Sequence, residues 1–357
     1  MSQSLDEIEV KPKQPWKPTQ KEINTNIGIF VLNILLTLSL IQFTGFSGKL
    51  AFVVLFILLS LSTNFLFSLS RGGTVVAKNS LATGFAFTGI ALLLMPVISI
   101  LATVFKRGTE AMYSGFFTTD MSEDSFASPL DVGGIKHAVI GSVIMVTIAL
   151  LLSVPIGILT ALYLTELKGR GSTLIRFLVQ AMSGIPSIVA GLFIYSALIT
   201  GTGRGFSAFM GALALTILMI PTVARTSEEV LKLIPSDLRE AGLALGATQW
   251  RTVAMVVIPA AKSGLITAAI LGVARIAGET APLLFTTGGA DALNTNPIDG
   301  NIGSVPFYVW KALIDGSPNA IARAWAGIFL LMIIVLSLFI LARKIGSPKK
   351  NTELIYD

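Results

Sequence analysis

Eight stretches of mostly apolar residues divide the chain, and polar segments separate them. Each stretch is long enough to cross the hydrocarbon core of a membrane, which takes about 20 residues of helix. Because lipid offers no partner for backbone polar groups, each spanning stretch is predicted to be an α-helix. The predicted spans are about 27–46, 50–70, 80–105, 136–164, 174–199, 206–224, 263–285 and 323–343. The pattern therefore predicts an all-α, polytopic membrane protein with about eight transmembrane helices.

The polar segments predict how the spans are connected. Residues 1–26 contain three prolines and four lysines and are predicted to be a disordered tail, and residues 346–357 are predicted to be a second short tail. The first two spans, within 27–70, are separated only by Ser47-Gly48-Lys49 and are predicted to form a tight hairpin.

The composition supports a membrane protein and narrows its chemistry. Hydrophobic residues make up 53% of the chain and charged residues 13%, with a mean hydropathy of +0.78. Soluble domains carry about a quarter charged residues. The chain has no cysteine, which excludes disulfides and thiolate metal sites, and His137 is its single histidine. No metal site or cofactor is therefore predicted in this chain.

The distribution of positive charge predicts the orientation. The net charge is +6, but the basic residues are spread through short loops between apolar runs, which argues against binding of nucleic acid. If both termini are cytoplasmic, the inner segments hold 18 Lys and Arg residues and the outer segments hold seven. Because inner loops carry the excess of Lys and Arg, both termini are predicted to lie in the cytoplasm.

A polar loop before the seventh span has a distinctive spacing. Glu240-Ala241-Gly242 is followed after three residues by Gly246 and after twelve more by Pro259. The spacing predicts a short helix, a glycine turn and a second helix that ends where the next span begins. Such a helix on the cytoplasmic face fits either a groove on a soluble partner or the surface of the membrane.

Two charges interrupt the seventh span. Arg275 and Glu279 are four residues apart, so they share one face if the span is a continuous helix. Charges within a span are costly and mark either a functional site or a neutralising ion pair. The guanidinium fork of Arg matches the oxygens of an oxyanion. One combined hypothesis is that Glu279 holds Arg275 until an anion displaces it.

Other polar residues at the spans have two interpretations each. Arg225, at the predicted end of the sixth span, is either an anchor at the membrane boundary or part of an anion path. Thr280, Thr286 and Thr287 either donate to an anion or bond the backbone of their own helix.

Small residues recur every fourth position in the seventh span, at Gly264, Ala268 and Gly272. Such spacing lets two helix backbones approach closely, so this face is predicted to pack against another helix.

Several of these motifs resemble a known family. The loop from Glu240 to Pro259 is similar to the EAA loop of ABC importer permeases, with Gly242 in place of the usual second alanine, and Val256 and Ile258 in place of the usual Ile and Leu. Three further stretches are similar to the A-type permease (PstA) of phosphate ABC importers. They are Gly133-Gly134-Ile135, the run Pro186-Ser187-Ile188-Val189-Ala190-Gly191-Leu192-Phe193, and residues 274–286.

The resemblance covers about residues 75–345, with the coupling loop at about 225–260, and leaves the hairpin 27–70 as an addition. It implies a type I ABC importer (MetI-like) permease core in the bacterial inner membrane, surrounded by lipid. It also implies a homologous C-type permease, a dimer of ATPase subunits, an extracytoplasmic phosphate-binding protein, and inorganic phosphate as substrate. The implied path residues are Arg275, Glu279, Arg225 and Thr280. The implied coupling residues are Glu240, Ala241, Gly242, Gly246 and Pro259.

The chain lacks a nucleotide-binding loop of its own. Gly48-Lys49 is the nearest match, but Leu50 stands where Ser or Thr is needed and Phe43 occupies the first glycine position. We therefore expect a transport subunit and not an enzyme, with ATP used by a partner polypeptide. Two alternatives remain: an ABC permease for sulfate or molybdate, and a secondary transporter. The second would contain inverted repeats, which the sequence does not reveal.

Overall fold

The computed structural model describes residues 20–45 and 48–346 of the chain. Within those ranges the backbone forms helices and loops, and the β-type pairing is limited to one isolated bridge between Gly288 and Ile302. The prediction of an all-α, polytopic membrane protein is confirmed. Most of both predicted tails, residues 1–19 and 347–357, lies outside the described residues. Two compact units are present, Met1–Ile100 and Leu101–Asp357.

Two long helices form the first unit, α1 (Gln20–Thr44) and α2 (Lys49–Gly108), the second of which extends beyond it. The predicted tail 1–26 is too long, because α1 begins at Gln20, where the Gln20 side chain bonds Asn24 one turn later. Asn33 is buried in this unit and its amide donates to the hydroxyl of Thr63 at 2.9 Å. An interhelical bond of this kind joins α1 to α2, as expected for the predicted hairpin.

Helix α2 reverses its direction at Gly73. The backbone there has φ 73° and ψ −170°, a conformation that is essentially restricted to glycine. Leu61 and Gly84 lie on opposite sides of Gly73 in the sequence, yet a Cβ added to Gly84 would be 2.7 Å from Leu61 Cδ2. The two arms of α2 therefore fold back on each other and supply the second and third predicted spans. The segment between these two predicted spans is itself helical on both sides of Gly73.

Within its described residues, 101–346, the second unit contains ten further helices and three π-helical turns. Its described helices are α3 (Lys136–Leu162), α4 (Ser172–Ser183), α5 (Ser187–Ile194), α6 (Ala208–Lys232), α7 (Ser236–Ala244), α8 (Gln249–Thr252), α9 (Ile258–Ile276), α10 (Ala281–Leu284), α11 (Val305–Asp315) and α12 (Pro318–Gly346). The π-helical turns are Tyr163–Leu167, Tyr195–Thr200 and Val253–Val257. The turn Tyr163–Leu167 extends α3, and Val253–Val257 joins α8 to α9.

The fifth predicted span is a broken helix. Helices α4 and α5 meet at an angle of 101°. The break contains Gly184 and Pro186, and proline removes a backbone donor and clashes with the preceding turn. The apolar run predicted as one span at 174–199 therefore consists of two helices with a sharp bend between them.

Helix α6 lies at the centre of the second unit, against α3 and α9. A Cβ added to Gly157 of α3 would lie 2.8 Å from Val223 of α6, so the two backbones are in close contact. On α9, Gly264 meets Val230 and Gly272 meets Met219, both on α6. Ala268, between them, is fully buried. The predicted packing face of the seventh span is confirmed, and its partner is α6.

Arg323 binds the loop between α2 and α3 to α12. Arg323 is only 1% exposed. Its guanidinium donates to four backbone carbonyls of that loop, those of Phe126, Ser128, Pro129 and Val132. Buried charges need such satisfied hydrogen bonds, so Arg323 orders this segment.

Candidate functional site

Arg275 lies in the last turn of α9 and bonds a residue of α6. Its Nη1 donates to the hydroxyl of Thr222, 53 residues away in the sequence. The Arg275 side chain is exposed in this chain, and it forms no ion pair with any residue of 20–45 or 48–346. A neutral hydroxyl therefore orients the guanidinium and leaves its positive charge uncompensated.

Arg225 lies three residues after Thr222 on α6, so the two side chains are neighbours on one face of that helix. Arg225 is exposed and likewise has no acidic partner in the described part of the chain. Helix α6 continues beyond the predicted end of the sixth span at Arg225, as far as Lys232. The buried carboxylate of Glu228, which Arg176 of α4 bonds at 2.7 Å, stabilises this extension. The fold thus places Arg225 one helical turn from the hydroxyl that Arg275 bonds.

Glu279 does not meet Arg275 as the sequence suggested. Helix α9 ends at Ile276, and a break follows before α10 begins at Ala281. Gly278 favours a helix end, and Pro282 cannot continue the helix because it would clash with the carbonyl of Gly278. The two charges are therefore not on one continuous helix, and no ion pair joins them. Glu279 is half-buried within the break.

The three threonines behave differently from one another. Thr286 and Thr287 are buried and donate to the carbonyls of Pro282 and Leu283, each at 2.9 Å. Their interpretation as backbone-bonded hydroxyls is confirmed, so they do not face an anion. Thr280 is half-buried at the position before α10 and makes no side-chain cap there.

The candidate docking loop has the short helix and the glycine turn that its spacing predicts, but its second helix does not end where the span begins. Helix α7 carries Glu240, Ala241 and Gly242, and a turn at Gly246 with φ 81° follows. The second helix begins at α8 and continues without interruption into the span, with Pro259 in the first turn of α9. Glu240 and Ala241 are exposed.

Large apolar side chains cover the outer surface of the docking loop. Leu245 is 90% exposed and Trp250 is 60% exposed, and Leu243 and Met255 are also exposed. Contiguous exposed apolar surface of this kind marks a site of interaction with a protein or a membrane. The loop therefore has the physical character of a contact surface.

Gly242 is buried for a local steric reason. A Cβ at this position would lie 2.7 Å from Cγ2 of Thr252 and 2.9 Å from its hydroxyl. The glycine therefore permits α7 to pack directly on α8, where an alanine would force one of them to move. This contact accounts for the departure from the usual second alanine of the EAA loop.

The sequence did not predict the ion pair that holds α7. Arg239 of α7 bonds Glu166 through both carboxylate oxygens, at 2.9 and 2.8 Å. This hydrogen bonding raises the pKa of Arg239 above its usual value, so its charge is permanent. The two residues are 73 positions apart in the sequence. The only sign of this pair in the sequence was the position of Glu166, an acid just after the fourth predicted span.

The amino-acid sequence of this chain is similar to those of known membrane transport proteins. Residues 153–347 match the model of the binding-protein-dependent transport system inner membrane component. The phosphate transport system permease protein PstA 1 of Mycobacterium tuberculosis is 38% identical over 273 residues, which cover 75% of this chain and 88% of that protein. The phosphate transport system permease protein PstA of Pasteurella multocida is 36% identical over 77% of this chain and 96% of that protein.

A solved structure is similar to part of the chain. It is that of the MetNI methionine ABC transporter in inward-facing conformations, at 22% identity. The match covers 58% of this chain and 89% of that chain, with a TM-score of 0.45.

Proposed function

The chain belongs to the family of binding-protein-dependent transport system inner membrane components and is a phosphate permease of the PstA type, and we propose that phosphate crosses the membrane beside its Arg275 and Arg225. The protein is a multi-pass membrane subunit of an ABC importer and not an enzyme. Sulfate, molybdate and an ion-gradient mechanism are thereby set aside, since the relatives are named phosphate permeases.

One observation supports the path most directly: Arg275, which has no acidic partner among the described residues, bonds the hydroxyl of Thr222, one helical turn from the equally unpaired Arg225. An unpaired charge in a span costs about 2.5–3.5 kcal/mol on insertion scales, so an anion in transit needs compensating positive charge. The Arg275 guanidinium supplies that charge and a planar fork for two phosphate oxygens. Arg225, one helical turn from Thr222, supplies a second cation.

Glu279 and Thr280 lie at the break between α9 and α10, just beyond Arg275. In our proposal the half-buried Glu279 carboxylate takes up the Arg275 guanidinium in another state of the transport cycle, when no phosphate is present. Thr280, which makes no cap for α10, is free to donate its hydroxyl to phosphate.

A phosphate permease of this family also needs partner proteins. A C-type permease completes the path, and two ATPase subunits bind ATP and dock on the loop 225–260, where Glu240, Ala241 and Gly246 present its exposed side. An extracytoplasmic phosphate-binding protein delivers the substrate. With the docking loop in the cytoplasm, both termini are cytoplasmic. The exposed Leu245 and Trp250 supply the apolar contact that a docked ATPase needs.

The path is tested by substituting Arg275→Gln in the assembled transporter. We expect phosphate uptake to fall at least about tenfold, because the charge that compensates the anion is lost. Arg275→Lys retains the charge without the fork and should give an intermediate rate. Uptake is measured in membrane vesicles after assembly of the complex has been verified.

Arg204→Gln is the matched control, because Arg204 is an exposed arginine outside the predicted spans. It removes the same charge and should leave uptake unchanged. Uptake by the Arg275→Gln transporter at the level of the Arg204→Gln control would contradict the proposed path.

A further inference from the structure

Arg239 joins three elements at the cytoplasmic ends of the helices. Besides its two bonds to Glu166, its Nη1 donates to the carbonyl of Ile234 at 2.7 Å and its Nη2 donates to that of Leu231 at 3.0 Å. Glu166 lies in the π-helical turn that extends α3, Leu231 belongs to α6, and Arg239 itself belongs to α7. One side chain therefore connects the docking helix to the ends of two spans.

The carboxylate of this pair is withdrawn from solvent. The Glu166 side chain is 6% exposed and that of Arg239 is 26% exposed. An ion pair with bidentate geometry and little water around it is stronger and geometrically more specific than a surface pair. Its hydrogen bonds are therefore suited to transmit force and not only to balance charge.

The backbone around Glu166 is unusual. It lies in the π-helical turn Tyr163–Leu167, and π-turns occur frequently at functional sites. Lys168, which follows, is the one non-glycine residue of the described ranges with a positive φ, at 47°. The carbonyl of Glu166 also accepts a bond of 2.6 Å from the Gln249 side chain, just after the docking turn. Both helices of the docking loop thus contact the same residue.

Leu231, which Arg239 contacts, lies on the same helix as Thr222 and Arg225. Leu231 and Thr222 are nine residues apart on this continuous helix, which is roughly 13–14 Å at 1.5 Å per residue. Thr222 is the residue that holds Arg275. A displacement of α7 that moves the end of α6 therefore also moves the partner of Arg275.

We propose that Glu166 and Arg239 form a clamp that makes α7, the end of α3 and the end of α6 move as one body when the ATPase acts on the docking helix. Glu166 is thus a positioning residue for transport, acting through Arg239 and not by contact with phosphate. This role rests on the proposed function, since it assigns the clamp to the coupling of ATP hydrolysis to phosphate movement. It predicts a defect in coupling and not in ATP hydrolysis.

The test uses the complete transporter in proteoliposomes with the Glu166→Gln substitution. ATP hydrolysis and phosphate uptake are measured in the same vesicles. We expect phosphate moved per ATP to fall about fivefold, a size typical for breaking one contact within a network, while ATP hydrolysis stays near the unsubstituted rate. Arg239→Lys retains charge without the fork and should lower the ratio in the same direction.

A second measurement tests the clamp independently of phosphate transport, through the distance between α3 and α7. The chain has no cysteine, so spin labels at Leu159→Cys on α3 and Asp237→Cys on α7 report one distance. Both positions are exposed. We expect a narrow distribution in the unsubstituted complex and a broad one with Glu166→Gln.

Glu229→Gln is the matched control. Glu229 is 72% exposed and pairs with Lys232 on α6, so this change removes one acid without touching α7. It should leave both the ratio and the distance distribution unchanged. An unaltered ratio and a narrow distribution with Glu166→Gln would overturn the clamp. If the unsubstituted transporter hydrolysed ATP without moving phosphate, the proposed function would be wrong. The distances between the spin labels would still test the clamp in that case.

Discussion

At Arg275, the identity of the hydrogen-bond partner decides what the charge does. An acid would neutralise the guanidinium, whereas the Thr222 hydroxyl orients it and leaves its charge in place. Arg323 is the opposite case. Four carbonyls accept hydrogen bonds from its guanidinium, and its role is structural. Two arginines of one chain thus differ because the guanidinium of one is fully bonded and that of the other is not.

At the docking helix, we expect Gly242→Ala to weaken the packing of α7 on α8. The added methyl group would lie 2.7 Å from the Thr252 side chain, and overpacking of this kind costs about 1–3 kcal/mol. The expected result is a lower melting temperature of the purified chain and less ATPase retained on copurification. Both are measured on the detergent-solubilised complex.

The compensating change is Thr252→Ala, which removes both atoms that the methyl group would meet. The Thr252 hydroxyl is buried and makes no hydrogen bond within the described structure, so its loss alone should be mild. The double variant Gly242→Ala, Thr252→Ala should recover most of the lost stability. A double variant as unstable as Gly242→Ala alone would show that the steric explanation is incorrect.

Among the elements, the breaks within apolar runs matter most for function. The span that contains α9 stops at Ile276, and this stop separates Glu279 from Arg275. The bend between α4 and α5 likewise occurs within a run that reads as one span. Apolar residues lie on both sides of each break, so the apolar run that predicts a span does not reveal where the helix stops. Glycine and proline mark the positions, but many spans contain them without breaking.

For the reversal in α2, we expect Gly73→Ala to destabilise the first unit. A residue with a Cβ at φ 73° and ψ −170° is strained by about 1–3 kcal/mol. The arms should separate more readily, and protease cleavage between residues 71 and 79 should become faster. Gly89→Ala is the control, because Gly89 lies in the same helix with open space at its Cβ position. Equal cleavage rates for the two variants would refute the strain argument.

At the scale of the whole molecule, the family's shared core lies in the second unit. The buried apolar clusters of that unit consist of residues between Ala111 and Ala326. The family model matches 153–347, and the PstA relatives are covered to 88% and 96% by about three quarters of this chain. The buried residues of these clusters all lie outside the hairpin 27–70.

We therefore expect a chain that starts at residue 74 to support phosphate uptake comparable to that of the full chain. Removing residues 1–73 deletes two spans, so the orientation of all later spans is preserved. Removing only residues 1–48 deletes one span and should abolish uptake, because the remaining first arm would need to reverse its orientation. Uptake is measured in cells that lack the native permease, with membrane insertion verified. Loss of uptake in the longer deletion despite correct insertion would assign a transport role to the hairpin.

The amino-acid sequence by itself determined the helical class, the spans, the docking loop with Gly246 and Pro259, and the packing face at Gly264, Ala268 and Gly272. These features follow from local periodicity, from backbone preferences of glycine and proline, and from the cost of polar groups in lipid. Only the tertiary structure decided which charges meet. Arg275 pairs with Thr222, and Arg239 pairs with Glu166, because helix packing brings together residues 53 and 73 positions apart. A side chain has several chemically suitable partners in the sequence, and only the packing of the backbone selects one of them.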